Sequence, residues 1–191
     1  EVLNLGLVFN DAFDLISDKA IDSGVVVDVE IEKDLMVYGH WEETYQIMVN
    51  LLSTLMESTL KNQSNRRIAI NAKIFGGVAL FKISNYGHPL NSDLLKELSG
   101  PSTIIPSDPR LRLCRQLMLD VHGQLTCKYK RNEDGSVIGN IIELVFHKAQ
   151  NEREELSMKR NEKFSSKSEV VSILKGRKKD VLKKIRNQLD A

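Results

Sequence analysis

Two hydrophobic periods alternate along the first half of the chain. Residues 5–24 carry apolar side chains at helical spacing and end on Gly24, whereas residues 25–32 alternate as a strand does. A second strand, LMVYG, precedes a long amphipathic helix within residues 40–63. The apolar positions that predict these two helices to face a core are Val8, Phe9, Ala12, Phe13, Leu15, Ile16 and Ala20, then Tyr45, Met48, Val49, Leu52, Leu55, Met56 and Leu60.

The next hundred residues predict two hairpins separated by helices. Two strands flank the turn Gly76-Gly77, and a short helix spans Ser92–Leu98. Residues 99–110 form a loop with three of the four prolines, followed by a core helix that closes on Gly123 and a final hairpin around the turn 132–135. This order predicts an α+β fold, a two-layer sandwich with helices on one face of a mixed, mostly antiparallel sheet.

Composition says more about where the protein works than about the chemistry it performs. The chain has 191 residues, is 41% hydrophobic and contains no apolar run near the ~20 residues that span a bilayer. Its two cysteines lack a CxxC spacing, so neither a metal site nor a disulfide framework is indicated, and we expect a reducing, cytoplasmic setting. Because residue 1 is Glu, we expect a piece of a longer protein, which could be the cytoplasmic part of a membrane-bound protein.

Charge divides the chain. Residues 149–191 hold 12 basic and 7 acidic residues, whereas residues 1–148 hold 15 basic and 19 acidic ones. We therefore predict a domain at 1–148, a charged linker at 149–165 and a basic amphipathic helical tail at 166–191. Such a tail suits an acidic protein or an anionic membrane, or it packs its apolar side on a domain. The lack of aromatic residues after Phe164 argues against nucleic acid.

Four motifs, in this order and spacing, resemble the nucleotide-binding domain of sensor histidine kinases, which belongs to the GHKL superfamily with the Bergerat fold. YQIMVNLLSTLMEST is similar to the asparagine-bearing helix, and ISNYGHPL lies where the family reads adenine. RLRLCRQLMLDVHGQL is similar to the glycine-leucine turn and its helix, and DGSVIGNIIELVF to the closing strands. The resemblance covers roughly residues 1–148.

The helix motif departs from the family where the resemblance places metal and phosphate. Asn50 stands at a family asparagine position, but Thr54 replaces the asparagine that binds magnesium, and a hydroxyl is a weaker ligand there. Glu57 stands where a basic residue is usual, so we expect it to repel a triphosphate. Asn50 bridging within the helix, and Thr54 bonding its own backbone, are the structural alternatives.

The adenine turn is altered as well. Asn85 replaces the family aspartate, so it can accept a hydrogen bond from adenine only without charge assistance. Gly87 is retained, while His88-Pro89 replaces a free residue and a glycine, which removes a backbone donor. Turn chemistry alone also accounts for Asn85 and Gly87.

The segment SDPRLRL stands where the family cradles phosphates with glycine-rich backbone. Leu111 and Leu113 match the family leucines, but every glycine is absent. Arg110, Arg112 and Arg115 are expected to form a basic cluster, either as a solvated face or as a site for a phosphate or an acidic partner.

The resemblance implies an ATP-binding domain of two-component signal transduction, with ATP and Mg as cofactors where binding is retained. The nucleotide-side residues it implies are Asn50, Thr54, Asn85, Gly87, Leu111 and Leu113. It also implies a signalling partner or an upstream dimerisation and phosphoacceptor domain, and hence a dimer of the full-length protein. The altered motifs predict weak or lost catalysis, and the alternative is a pseudokinase module that binds a signalling partner without ATP.

Overall fold

The computed structural model describes residues 1–100 and 106–149. The predicted linker beyond Ala149, and the tail at 166–191, lie outside the described residues. The elements in chain order are β1 Val2–Asn4, α1 Leu5–Asp22, β2 Val26–Ile31, β3 Met36–Tyr38, α2 Trp41–Leu60, β4 Arg67–Phe75, β5 Val78–Tyr86, α3 Ser92–Ser99, α4 Pro109–Asp120, β6 Gln124–Arg131 and β7 Val137–His147.

Five strands form one mixed sheet in the order β2-β4-β5-β7-β6. Strand β2 runs parallel to β4, and the other neighbours are antiparallel, while β1 and β3 form a separate antiparallel pair. The predicted α+β fold is confirmed, including both hairpins.

One face of the sheet is buried beneath the helices. Alternate residues of the central strands, such as Phe81 on β5 and Leu144 on β7, are fully buried, as a period of two requires. The stripe predicted on the long helix lies in the same cluster, where Met48, Leu52 and Leu55 are buried. This single core fixes the ends of β5 and α2 next to each other, where the candidate site lies.

Several local predictions need correction. Pro109 is the first residue of α4 rather than part of the loop, a position where its missing N–H costs no helical hydrogen bond. Helix α4 ends at Asp120 rather than closing on Gly123 as predicted, and His122 in the turn that follows has a positive φ of 55°. Leu15 is exposed on α1 although its period predicted a core position. Strand β1 is too short to show a period and was not predicted.

Among the residues that the structure describes, no helix has the length and apolar character to cross a membrane.

Candidate nucleotide site

The turn after β5 is held by hydrogen bonds to α2 and β7. The backbone N–H of His88 donates to the carbonyl of Ser58 at 3.0 Å, and the Ser58 hydroxyl donates to the carbonyl of His88 at 2.8 Å. The N–H of Leu90 donates to Asn140 Oδ1 at 2.8 Å. These bonds fix the backbone of the predicted adenine turn against its neighbours.

Asn85 is completely buried at the base of this turn. Its Nδ2 donates to the carbonyl of Leu55 at 3.2 Å and to the hydroxyls of Ser58 and Thr59, each at 2.9 Å. Its Oδ1 accepts from the backbone N–H and the Nδ2 of Asn140 at 3.0 and 3.2 Å. Two N–H hydrogens thus serve three protein acceptors, and both lone pairs of the oxygen are engaged.

Asn140 is a hydrogen-bonding partner of Asn85 that the sequence analysis missed. It lies opposite Asn85 in the β5–β7 register and is also completely buried. Its Nδ2 is within hydrogen-bonding distance of Ser58 Oγ at 3.1 Å and the His88 carbonyl at 3.0 Å. The available signal was an asparagine within the apolar strand VIGNII, since a buried amide requires partners.

Two glycines allow these elements to approach. A Cβ on Gly87 would stand 2.4 Å from Asn85 Nδ2 and 2.6 Å from Ser58 Oγ. A Cβ on Gly139 would stand 1.9 Å from the carbonyl oxygen of Asn85. Gly87 is therefore explained by close packing in this turn, whether or not a ligand contacts it.

The two α2 residues predicted on the nucleotide side, Thr54 at the family's magnesium position and Asn50 one turn before it, are engaged within α2. The hydroxyl of Thr54 is buried and donates to the carbonyl of Asn50 at 2.8 Å, the backbone bond expected of a packed helical threonine. Asn50 Oδ1 accepts from Gln46 Nε2 at 3.0 Å. Both side chains thus have a hydrogen-bond partner on their own helix.

The start of α4 is capped by an internal carboxylate. Asp108 Oδ1 accepts from the backbone N–H groups of Arg110 and Leu111 at 2.9 and 3.0 Å, and Pro109 has no N–H to offer. Free N–H groups at a helix start are the usual donors to phosphate. Here the helix end already holds an anion supplied by the chain itself.

Glu57 forms a bidentate ion pair with Arg110, at 2.8 and 3.0 Å. The hydrogen bond from Arg110 lowers the pKa of Glu57, and the same bond raises the pKa of Arg110. The expected repulsion by Glu57 is therefore compensated internally, and the guanidinium nearest the α4 start is bound to this carboxylate.

The predicted arginine cluster was wrong, because the three side chains go to different places. Arg112 donates to the carbonyl of Pro106 at 2.9 Å. Arg115 is buried and donates to the carbonyls of Glu97 and Gly100 at the end of α3. The end of α3 has unpaired helical carbonyls, and Arg115 supplies donors to them.

Solved structures of known proteins share this fold. The catalytic domain of the histidine kinase ThkA, in a nucleotide-free form, matches with a TM-score of 0.64 at 17% identity, over 79% of this chain and 98% of that chain. This chain has the fold of a histidine kinase catalytic domain. The predicted resemblance is confirmed at the level of the fold.

Other proteins with the histidine kinase catalytic fold match similarly. The mycobacterial sensor histidine kinase MprB gives a TM-score of 0.60 at 18% identity, over 78% of this chain and all of that chain. ThkA in complex with the response regulator TrrA gives 0.60 at 19%, over 78% of this chain and 42% of that chain. No protein-family model matches the sequence, and no curated protein does.

The six residues predicted to contact nucleotide do not share one environment in this histidine-kinase-like fold. Asn85 and Gly87 belong to the buried network, and Leu111 is fully buried in the hydrophobic core. Leu113, two residues along α4, is 42% exposed. Their assignment to nucleotide binding stays a prediction.

The described residues at the phosphate end do not fit a magnesium triphosphate. The α4 start and Arg110 are both bound to carboxylates, and the Thr54 hydroxyl is bound to its own helix. Within residues 1–100 and 106–149, no cluster of three His, Cys, Asp or Glu side chains is placed to hold a metal ion. A groove of about 190 Å³ between α3, α4 and β6 contains none of the six predicted residues.

Proposed function

We propose that this chain is a signalling domain derived from the ATP-binding domain of two-component histidine kinases, with weak or lost catalysis. The observation that carries this proposal is the placement of two internal carboxylates at the phosphate end. Asp108 caps the helix that would bind phosphate, and Glu57 pairs with Arg110 beside it. A triphosphate would have to displace one carboxylate and compete with the other.

The residues at the predicted adenine end also support weak or lost catalysis. Asn85 stands where the family reads the exocyclic amine, but its carbonyl oxygen already accepts two bonds from Asn140. Binding adenine there would require breaking bonds in a buried network, and an unpaired buried polar group costs about 1–3 kcal/mol. A nucleotide would therefore gain little from this position.

The alternative is a pseudokinase module that binds a signalling partner without ATP. The closed hydrogen-bonding of the turn favours it, because this network holds the fold in shape without a ligand. A histidine kinase of this fold is known in complex with a response regulator. By analogy, a response regulator or an upstream phosphoacceptor domain is the partner class that we propose.

Calorimetric titration of the full chain with ATP, with and without magnesium, tests the proposal. We expect weak binding, with a dissociation constant in the millimolar range that magnesium does not change, whereas no detectable binding at millimolar ATP would favour the pseudokinase alternative instead. Magnesium-dependent binding in the micromolar range would contradict it, and so would efficient transfer of the γ-phosphoryl group to a histidine-bearing protein.

A paired variant then tests the cause. Asp108→Ser with Glu57→Gln keeps a helix cap, because serine caps as well as aspartate, while it removes both negative charges. We expect ATP affinity to rise about tenfold or more, since both carboxylate charges that repel phosphate are gone and Arg110 is no longer held in an ion pair. Asn91→Ser, which changes the cap of α3 without changing charge, is the matched control and should leave the titration unchanged.

A further inference from the structure

Exposed apolar surface is concentrated at one end of the sequence. Of the nine large hydrophobic side chains that are exposed among the described residues, seven lie within the first 38 residues. They are Val2, Leu7, Leu15, Ile21, Val26, Val29 and Tyr38. The same 38 residues contain nine acidic and two basic residues, a net charge of −7. This region therefore combines apolar surface with strong negative charge.

Helix α1 carries the central part of this surface. Leu7, Leu15 and Ile21 are 55, 64 and 75% exposed. Four aspartates, all exposed, lie between them at intervals of three and four: Asp11, Asp14, Asp18 and Asp22. Residues three and four apart are neighbours on a helix, so these seven side chains form one continuous outer face.

The opposite side of α1 accounts for its place in the fold. Val8, Phe9, Ala12, Ile16 and Ala20 are buried in the core. The outer face makes no such contribution, so its three large apolar side chains are not explained by folding. Isolated exposed leucines are ordinary, but three on one helix face are a patch that suits a partner.

The positions of the aspartates also destabilise helix α1. Asp14, Asp18 and Asp22 are like charges at spacing four, which destabilises a helix, and Asp22 is the last residue of α1, at the negative end of the dipole. Lys19 is the one basic residue of α1, so the four aspartates leave this helix with a net charge of −3.

We propose that the outer face of α1 docks a basic amphipathic helix of a partner protein. Leucine-type side chains of that helix would cover Leu7, Leu15 and Ile21, and flanking Lys or Arg side chains would pair with the aspartates. An 18-residue helix is about 27 Å long, which is enough for five turns of the partner. The inference holds whether or not the chain binds nucleotide, because α1 contributes no predicted nucleotide residue.

The test uses the full chain and a fluorescent synthetic peptide as long as α1. The peptide contains leucines at spacing i, i+3, i+4, i+7 and lysines elsewhere, and a second peptide carries glutamate in place of lysine. We expect the lysine peptide to bind with a micromolar dissociation constant that weakens as salt rises from about 0.05 to 0.5 M. The glutamate peptide should not bind.

Variants assign the binding to this face. Leu15→Ala with Ile21→Ala should weaken binding about tenfold or more, because two apolar anchors are lost. The control Leu119→Ala removes an exposed leucine from α4 and should leave binding unchanged. Asp18→Asn should reduce both the affinity and its salt dependence, whereas Glu133→Gln, on the turn between β6 and β7, should change neither.

Three outcomes would overturn the proposal. One is that the chain with unchanged α1 does not bind the lysine peptide. Another is binding that Leu15→Ala with Ile21→Ala leaves intact. The third is a concentration-dependent dimer, seen by sedimentation, that the same double variant dissociates, because α1 would then be covered by a second copy of the chain.

Discussion

Replacing Asn85 by aspartate restores the residue that the resemblance places in the adenine turn, and it tests whether the observed network is the reason for asparagine. The two Nδ2 hydrogens of Asn85 are shared among three acceptors, the carbonyl of Leu55 and the hydroxyls of Ser58 and Thr59. An ionised aspartate cannot donate. It would place a negative oxygen against the Leu55 carbonyl in a completely buried position.

The cost follows from the bonds lost. The two amide hydrogens count as two hydrogen bonds of about 1 kcal/mol each, and the buried carboxylate oxygen that faces the Leu55 carbonyl costs at least about 1 kcal/mol more, which makes about 3 kcal/mol. The two hydroxyls could turn to donate to the carboxylate, but they would then leave the carbonyls of His88 and Leu55. For a chain of this size, 3 kcal/mol corresponds to a fall in Tm of about 6–12 °C.

The effect should depend on pH with a defined sign. Burial raises the pKa of a carboxyl in the folded state above its unfolded value of about 3.9. Protonation then favours the folded state, so the stability of Asn85→Asp is highest below about pH 4 and falls as pH rises through the raised pKa. Thermal unfolding at pH 5 and pH 8 should show the larger deficit, relative to the unchanged chain, at pH 8.

Asn91→Asp is the matched control for this experiment. The Asn91 side chain acts as an acceptor at the α3 cap, bonding the N–H of Asp93 at 2.8 Å, and aspartate can do the same. Its Tm should change by no more than about 2 °C. Equal Tm values for Asn85→Asp and the unchanged chain at both pH values would refute the reasoning.

Three further predictions concern packing, an ion pair and thiol reactivity. Gly87→Ala should lower the free energy of unfolding, measured in urea, by about 2 kcal/mol or more, since a Cβ would stand 2.6 Å from Ser58 Oγ. Gly77→Ala is the control, because a Cβ there meets nothing within 4 Å. Similar urea midpoints for the two variants would contradict this prediction. The hydrogen bond from Arg110 lowers the pKa of Glu57, whose side chain is half exposed. A double-mutant cycle on this pair should give a coupling energy of at most about 0.5 kcal/mol at pH 7, and the coupling should disappear as pH falls through the pKa of Glu57. A coupling energy that persists in acid would disprove this prediction. Burial raises the pKa of the Cys114 and Cys127 thiols to about 12, so neither thiol should react with a disulfide reagent at pH 8 until the protein unfolds. Rapid reaction of the folded protein would show that the thiols are not buried in this way.

Most of the fold could be predicted because long elements repeat their period many times. Helix α2 and the hairpin around Gly76 showed their patterns over many residues, and turn glycines marked the ends. The three-residue strand β1 could not be found this way. Leu15 was misassigned because a helical period identifies apolar residues but does not show that every such residue is covered.

The candidate site was predictable in position but not in chemistry. Thr54 bonds the carbonyl of Asn50, as a packed helical threonine does, and that alternative was visible in the sequence. Asn140 was not found, because its role depends on β5–β7 pairing, which places it opposite Asn85. The use of Asp108 as a cap likewise depends on where α4 begins, which Pro109 obscured.

The Asp108 cap has a consequence for competition with ligands. A carboxylate that belongs to the helix it caps is held at a constant and high effective concentration, which no change in the surroundings can dilute. A free phosphate meets the same N–H groups only at its concentration in solution and loses translational freedom when it binds. The N–H groups at the start of α4 should therefore stay bonded to Asp108 as the phosphate concentration rises and falls. The structure of this helix end would then not change with the energy state of the cell.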